Sequence, residues 1–146
     1  MDVISMKDLP LPAMHICGPG GEVRVVRSLE MLALIRGYCM APDNVPNYYW
    51  ASNNQWFKTV NIRKLGKVSF FRRLFVPSDL VVASFDLEPI EQPISDLKLL
   101  HEMSLCAVAT TDKAKYKEAR KALKSCKTAS EVIAWFDREA NVIAHY

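Results

Sequence analysis

The stretch LVVASFDLEPIEQPISDLKLLHEMSLCA, Leu80 to Ala107, changes its hydrophobic period part-way along, and the fold class turns on that change. Leu80 to Leu87 is rich in β-branched and apolar residues and reads as a strand. Beyond Pro93 the apolar residues fall at Leu99, Met103 and Cys106, with Leu97 and Leu100 beside them. That spacing places them on one side of a helix over residues 95–109.

Downstream the helical period continues. Tyr116, Ala119, Leu123 and Cys126 form one stripe of a helix from Asp112 to Cys126. Thr128 and Glu131 then make a Thr-x-x-Glu capping box ahead of Val132, Ile133, Trp135 and Phe136, which opens a third helix running to about residue 143.

Upstream the extended pattern dominates. Val68 to Val76 reads as a strand, joined through a tight turn at Leu65-Gly66 to an earlier one over Phe57–Arg63. Pro77-Ser78-Asp79 turns the chain into Leu80. Nearer the N-terminus, Gly18–Gly21 is a turn and Glu22–Val26 a short strand. Ser28 caps a short, apolar and therefore buried helix from Leu29 to Arg36. Pro42 to Asn47 is a loop. Residues 1–12, with Pro10 and Pro12, read as a loose arm.

Strands first and helices afterwards give an α+β fold. The expected arrangement is a small, mainly antiparallel sheet over about residues 22–87, packed with a short internal helix and three C-terminal helices. The 146 residues suit one domain. The core candidates are Val23, Val25, Leu32, Ile35, Val60, Ile62, Val81, Leu99, Met103, Leu123, Val132 and Phe136.

Composition narrows the function classes. Half the residues are hydrophobic and 24% are charged, which is a globular balance. No run approaches the roughly 20 apolar residues of a membrane span. The N-terminus lacks the apolar stretch of a secretory signal, and the four cysteines (Cys17, Cys39, Cys106 and Cys126) form no C-x-x-C pair. A cytoplasmic or otherwise intracellular protein with reduced thiols is the expectation.

Catalytic and metal signatures are sparse. The chain has no Walker loop, G-x-G-x-x-G or G-x-S-x-G. His15-x-Cys17 brings two possible ligands together, but no zinc-type doublet completes a site. His101 beside Glu102 offers an acid and a base, yet helix neighbours diverge. Arg138 and His145 resemble the spaced Arg–His pair of HEPN-type ribonucleases, an all-helical family that the N-terminal strands do not suit. The reading therefore leans away from an enzyme and assigns no catalytic residue, metal or cofactor.

The strongest functional signal is a bias of charge and ring. Asn44 to Ser78 contains no acidic residue, and it holds Lys58, Arg63, Lys64, Lys67, Arg72 and Arg73. The same 35 residues carry eight of the fourteen aromatics, among them Trp50 and Trp56, with Asn53, Asn54 and Gln55 between those two. Cations neutralise phosphates and rings stack on bases, so these residues are the candidate nucleic-acid site. The same rings are also ordinary core residues of strands. A second basic stripe, Lys113, Lys117, Arg120 and Lys124, follows helical spacing, flanked by Lys121 and Lys127. Asp79 to Glu102 is acidic between the two. The expected function is non-enzymatic nucleic-acid binding with a regulatory role. The alternative is a small protein-interaction module, an inhibitor or adaptor, since aromatics and arginine also anchor protein interfaces.

Overall fold

The computed structural model describes residues 2–17, 23–36, 47–68, 80–108 and 112–139. Its strands are β1 (Ile4–Ser5), β2 (Ala13–Cys17), β3 (Val23–Val26), β4 (Leu34–Arg36), β5 (Asn47–Ala51), β6 (Trp56–Lys67) and β7 (Leu80–Ile90). Its helices are α1 (Leu29–Ala33), α2 (Asp96–Val108), α3 (Lys113–Lys124) and α4 (Ala129–Glu139). The seven strands form one antiparallel sheet in the order β1-β7-β6-β5-β2-β3, with β4 also on β7. With three helices following the sheet, the fold is α+β.

Two apolar clusters lie on the two faces of this sheet. Ala13, Cys17, Tyr49, Ala51, Phe57, Phe85 and Leu87 share one cluster with Val26 of β3 and Ile35 of β4. Ile4 of β1 packs against the same cluster, so the two ends of the strand order meet in one core and the sheet curls around it. Met14, Ile16, Val23, Val25 and Trp56 face the other way, against Leu99, Met103, Leu123, Val132 and Phe136 of the C-terminal helices.

The helix starts follow their capping chemistry. Ser28 Oγ accepts from Met31 N at 3.2 Å, and Ser95 Oγ accepts from Lys98 N at 3.2 Å. Thr128 Oγ accepts from Glu131 N at 3.2 Å, and the Glu131 carboxylate reaches back to the Lys127 N–H at 2.7 Å. Asp112 accepts from Ala114 N at 2.9 Å and Lys115 N at 3.4 Å, opening a helix otherwise crowded with lysine. Asp112→Ala is expected to cost about 1 kcal/mol in urea unfolding; an unchanged midpoint would show that the cap contributes nothing.

Several expectations are corrected. The arm over residues 1–12 is not loose: Ile4 and Ser5 pair with Leu87 and Asp86, and Met6 and Leu9 are buried in the curled core. The helix expected over Leu29–Arg36 ends at Ala33, because Leu34–Arg36 pairs with Leu80–Val82 as β4. Leu65-Gly66 is no turn. β6 runs through it with an irregular register, and Leu65 bulges outward at 67% exposure while Gly66 pairs with Val82. Val60 and Ile62 are only half-buried, since a second irregularity lies between Val60 and Arg63, where Asn61 has a φ of 53°. The strand expected over Val68–Val76 lies, but for Val68, outside the described residues.

Candidate nucleic-acid interface

The hairpin of β5 and β6 decides what the tryptophans can do. Trp50 pairs with Trp56 across a turn held by Ala51 N–H to the Gln55 carbonyl, 3.0 Å. Asn54 sits at the tip with φ 67°, a left-handed conformation that asparagine tolerates. Being opposite each other, both indoles project to the helix-covered face, where they stack at 5.3 Å and within 8° of parallel. Trp56 is 6% exposed, so stacking on a base is closed to it. Trp50 is half-buried, and its open side lines a cavity beneath α2 and the α3–α4 corner.

The polar residues of the turn have structural partners too. Asn54 Oδ1 accepts from Ala129 N at 2.9 Å at the start of α4. Asn53 Oδ1 accepts from Gln55 N at 3.0 Å, and the Gln55 amide donates to the Trp56 and Ile90 carbonyls. They tie the hairpin to the helical layer and to β7.

The cations of β6 do not form one surface. Lys58 lies opposite Glu88 and pairs with it at 3.1 Å, a half-exposed pair of small energetic weight. Asp86 accepts from Asn61 Nδ2 at 3.1 Å and keeps a second carboxylate beside the strand. Arg63 lies opposite Ser84, on the side of Lys58, whereas Lys64 and Lys67 lie opposite Ala83 and Val81, whose side chains face the curled core. Arg63, Lys64 and Lys67 are all exposed. Arg72 and Arg73 lie outside the described residues.

The continuous basic surface is instead on α3. Its twelve residues include Lys113, Lys115, Lys117, Arg120, Lys121 and Lys124 against one acid, Glu118. Only Ala119 and Leu123 are buried. At 100° per residue, Lys113, Lys117, Arg120, Lys121 and Lys124 share roughly one quadrant of the helix. Among the described residues, no carboxylate forms an ion pair with any of these lysines. The helix is anchored from behind by Tyr116, whose hydroxyl meets His101 Nδ1 at 2.5 Å and accepts from Arg120 at 3.2 Å. The sequence pattern already separates this stripe; the structure adds that its lysines carry no ion pair among the described residues, although Glu118 lies on the same helix.

His15 is not a metal ligand, because both its ring nitrogens are engaged. Arg24 Nε donates to Nδ1 at 2.9 Å, which leaves Nε2–H to donate to Asn47 Oδ1 at 2.8 Å. Burial, and after it the Arg24 charge, lowers its pKa to about 3, against the smaller opposing effect of the Asn47 bond. Among the described residues, no three His, Cys, Asp or Glu side chains gather in a way that could hold a metal ion. Nor is any described helix long and apolar enough to cross a membrane. No protein-family model, curated protein or solved structure matches the chain.

Proposed function

We propose that this chain is a non-enzymatic, intracellular nucleic-acid-binding protein that grips the phosphate backbone with α3. The observation that supports this reading is the quadrant of exposed lysines on that helix, free of carboxylate partners among the described residues, with half-buried Arg120 at its edge. A solvated helix usually interleaves both signs, which adds i,i+4 support and limits self-repulsion. Here like charges are held side by side, a cost that a polyanion would offset through counterion release. Arg63, Lys64 and Lys67 are secondary contacts. Because Trp56 is covered, binding rests on phosphates more than on stacked bases, and sequence preference should be weak.

Fluorescence anisotropy with labelled single- and double-stranded oligonucleotides at several salt concentrations tests this. Affinity for duplex should fall steeply with salt, and Lys117→Ala with Lys121→Ala should make the log–log slope shallower by about 2. Absence of binding at low salt, where attraction is strongest, would sink the proposal. The protein-interaction module would then be the better reading, favoured by Leu97 and Leu105, two large apolar side chains exposed on α2.

A further inference from the structure

We infer that the cavity over Trp50 is a binding site for a small amphipathic anion, a medium-chain carboxylate whose tail enters the cavity and whose head group meets Lys124 and Lys127. The cavity has a volume of about 490 Å³, which lies within the usual range for small-molecule sites. Leu100 and Met103 of α2 line it together with Leu123 of α3 and Val132 of α4, and Trp50 of β5 contributes its indole. The Trp56 ring stacked on Trp50 holds that indole in place. Met103 adds an adaptable surface that accepts chains of different shape. Leu97, at 66% exposure, also lines the cavity and extends its apolar surface outward.

The charges favour an anion over a cation or a neutral ligand. Lys124 and Lys127 both line the cavity and both are exposed. Neither is ion-paired among the described residues. Asp96 also lines the cavity, so its wall carries two lysines against one carboxylate, and Glu131 lies beside Lys127. Asp96 accepts a hydrogen bond from Gln92 Nε2 at 2.8 Å, and Glu131 accepts one from the Lys127 backbone N–H at 2.7 Å. Cys126, which also lines the cavity, donates to the Ala122 carbonyl, and burial, then Glu131, pushes its thiol pKa up against the pull of Arg138. It therefore stays protonated and adds no negative charge. Ammonium groups at the edge of an apolar cavity match a ligand with one charged end.

This inference stands apart from the nucleic-acid reading; Lys124 is the one residue the two share. Calorimetric titration with octanoate and with octanol, on the full chain without nucleic acid, tests it. Octanoate should bind saturably at one site, about tenfold more tightly than octanol. The double change Lys124→Ala, Lys127→Ala should bring octanoate down to the level of octanol. Leu100→Trp, which fills the cavity, should abolish both, with circular dichroism checking that the helices persist. Should that variant unfold, the lysine pair still decides, because those side chains lie outside the core. No saturable octanoate binding would overturn the site. Equal affinity for the two ligands, or octanoate binding unchanged by the lysine pair, would overturn its anionic specificity.

Discussion

Stability is expected to fall by about 2 kcal/mol between pH 6.5 and pH 5, at roughly 1.4 kcal/mol per pH unit, because of one buried histidine. In the unfolded chain His15 titrates near its model value of 6.5, whereas in the fold its pKa lies at about 3. Below pH 6.5 the unfolded state therefore takes up a proton that the folded state refuses, and each proton bound draws the equilibrium toward unfolding. The histidine's contribution is fully present above pH 6.5 and drains away as the pH falls toward 3. The cause is visible in the site. An imidazolium at position 15 would be desolvated, and its second N–H would point at the Arg24 guanidinium, which now donates to that nitrogen. His15→Gln keeps an acceptor and a donor without a titrating group, so its stability should be nearly level over the same window. Urea unfolding at half-unit steps from pH 7 to pH 5 separates the two, since most carboxylates titrate below that range. Parallel curves for the two proteins would refute the assignment.

The same residue explains why part of the fold escapes a reading of the sequence. Ala13–Cys17 has no alternation because β2 is central and covered on both faces, with Met14 and Ile16 under the helices and Ala13 and Cys17 in the curled core. A five-residue run buried on both faces, next to glycines in the sequence, carries no period to detect. Val-Arg-Val of β3 does alternate, and alternation assigns Arg24 to water. That face is closed by the curl of the sheet, which depends on contacts distant in sequence. The C-terminal helices are legible for the opposite reason. Their stripes repeat over ten or more residues, and the caps at Asp112 and Thr128 lie beside them in the chain.

The candidate site divides in the same way. Basic residues are plain in the sequence, but their grouping depends on register. One extra residue between Val60 and Arg63, and another between Lys64 and Gly66, settle which face each cation of β6 occupies. Such bulges leave little trace in composition. Trp50 and Trp56 show the other ambiguity, since a ring that stacks on a base and one that fills a core are the same residue type. The turn length made them cross-strand partners, and Met14, Ile16 and Leu99 then share their cluster. On α3 the spacing alone brings the cations together, because a helix has no register to slip.

Arg24→Ala is expected to cost about 3–5 kcal/mol, a large share of the stability of a domain this size. The side chain is 2% exposed and ties the paired strands β2 and β3 to α1 and β4, which strand pairing leaves apart from them. Nε donates to His15 on β2, while the two terminal nitrogens donate to the Met31 carbonyl of α1 at 3.2 Å and the Leu34 carbonyl of β4 at 2.7 Å. It thereby closes the curl between β3 and β4. Removing it strands a buried imidazole acceptor, weakens two carbonyl contacts and leaves a void. Arg24→Met refills most of that void without the donors, so the difference between the two variants isolates the packing part. A single ammonium cannot reproduce the three-way fork, so Arg24→Lys should recover only part of the loss. The variants also report on His15. Without the guanidinium, burial alone lowers its pKa, so the stability loss of Arg24→Met should level off at a higher pH than in the unaltered protein. Chemical unfolding of the three variants, with a double-mutant cycle against His15→Gln, measures the coupling. An Arg24→Ala loss under about 1 kcal/mol, or strict additivity with His15→Gln, would mean that the closure does not depend on this pair.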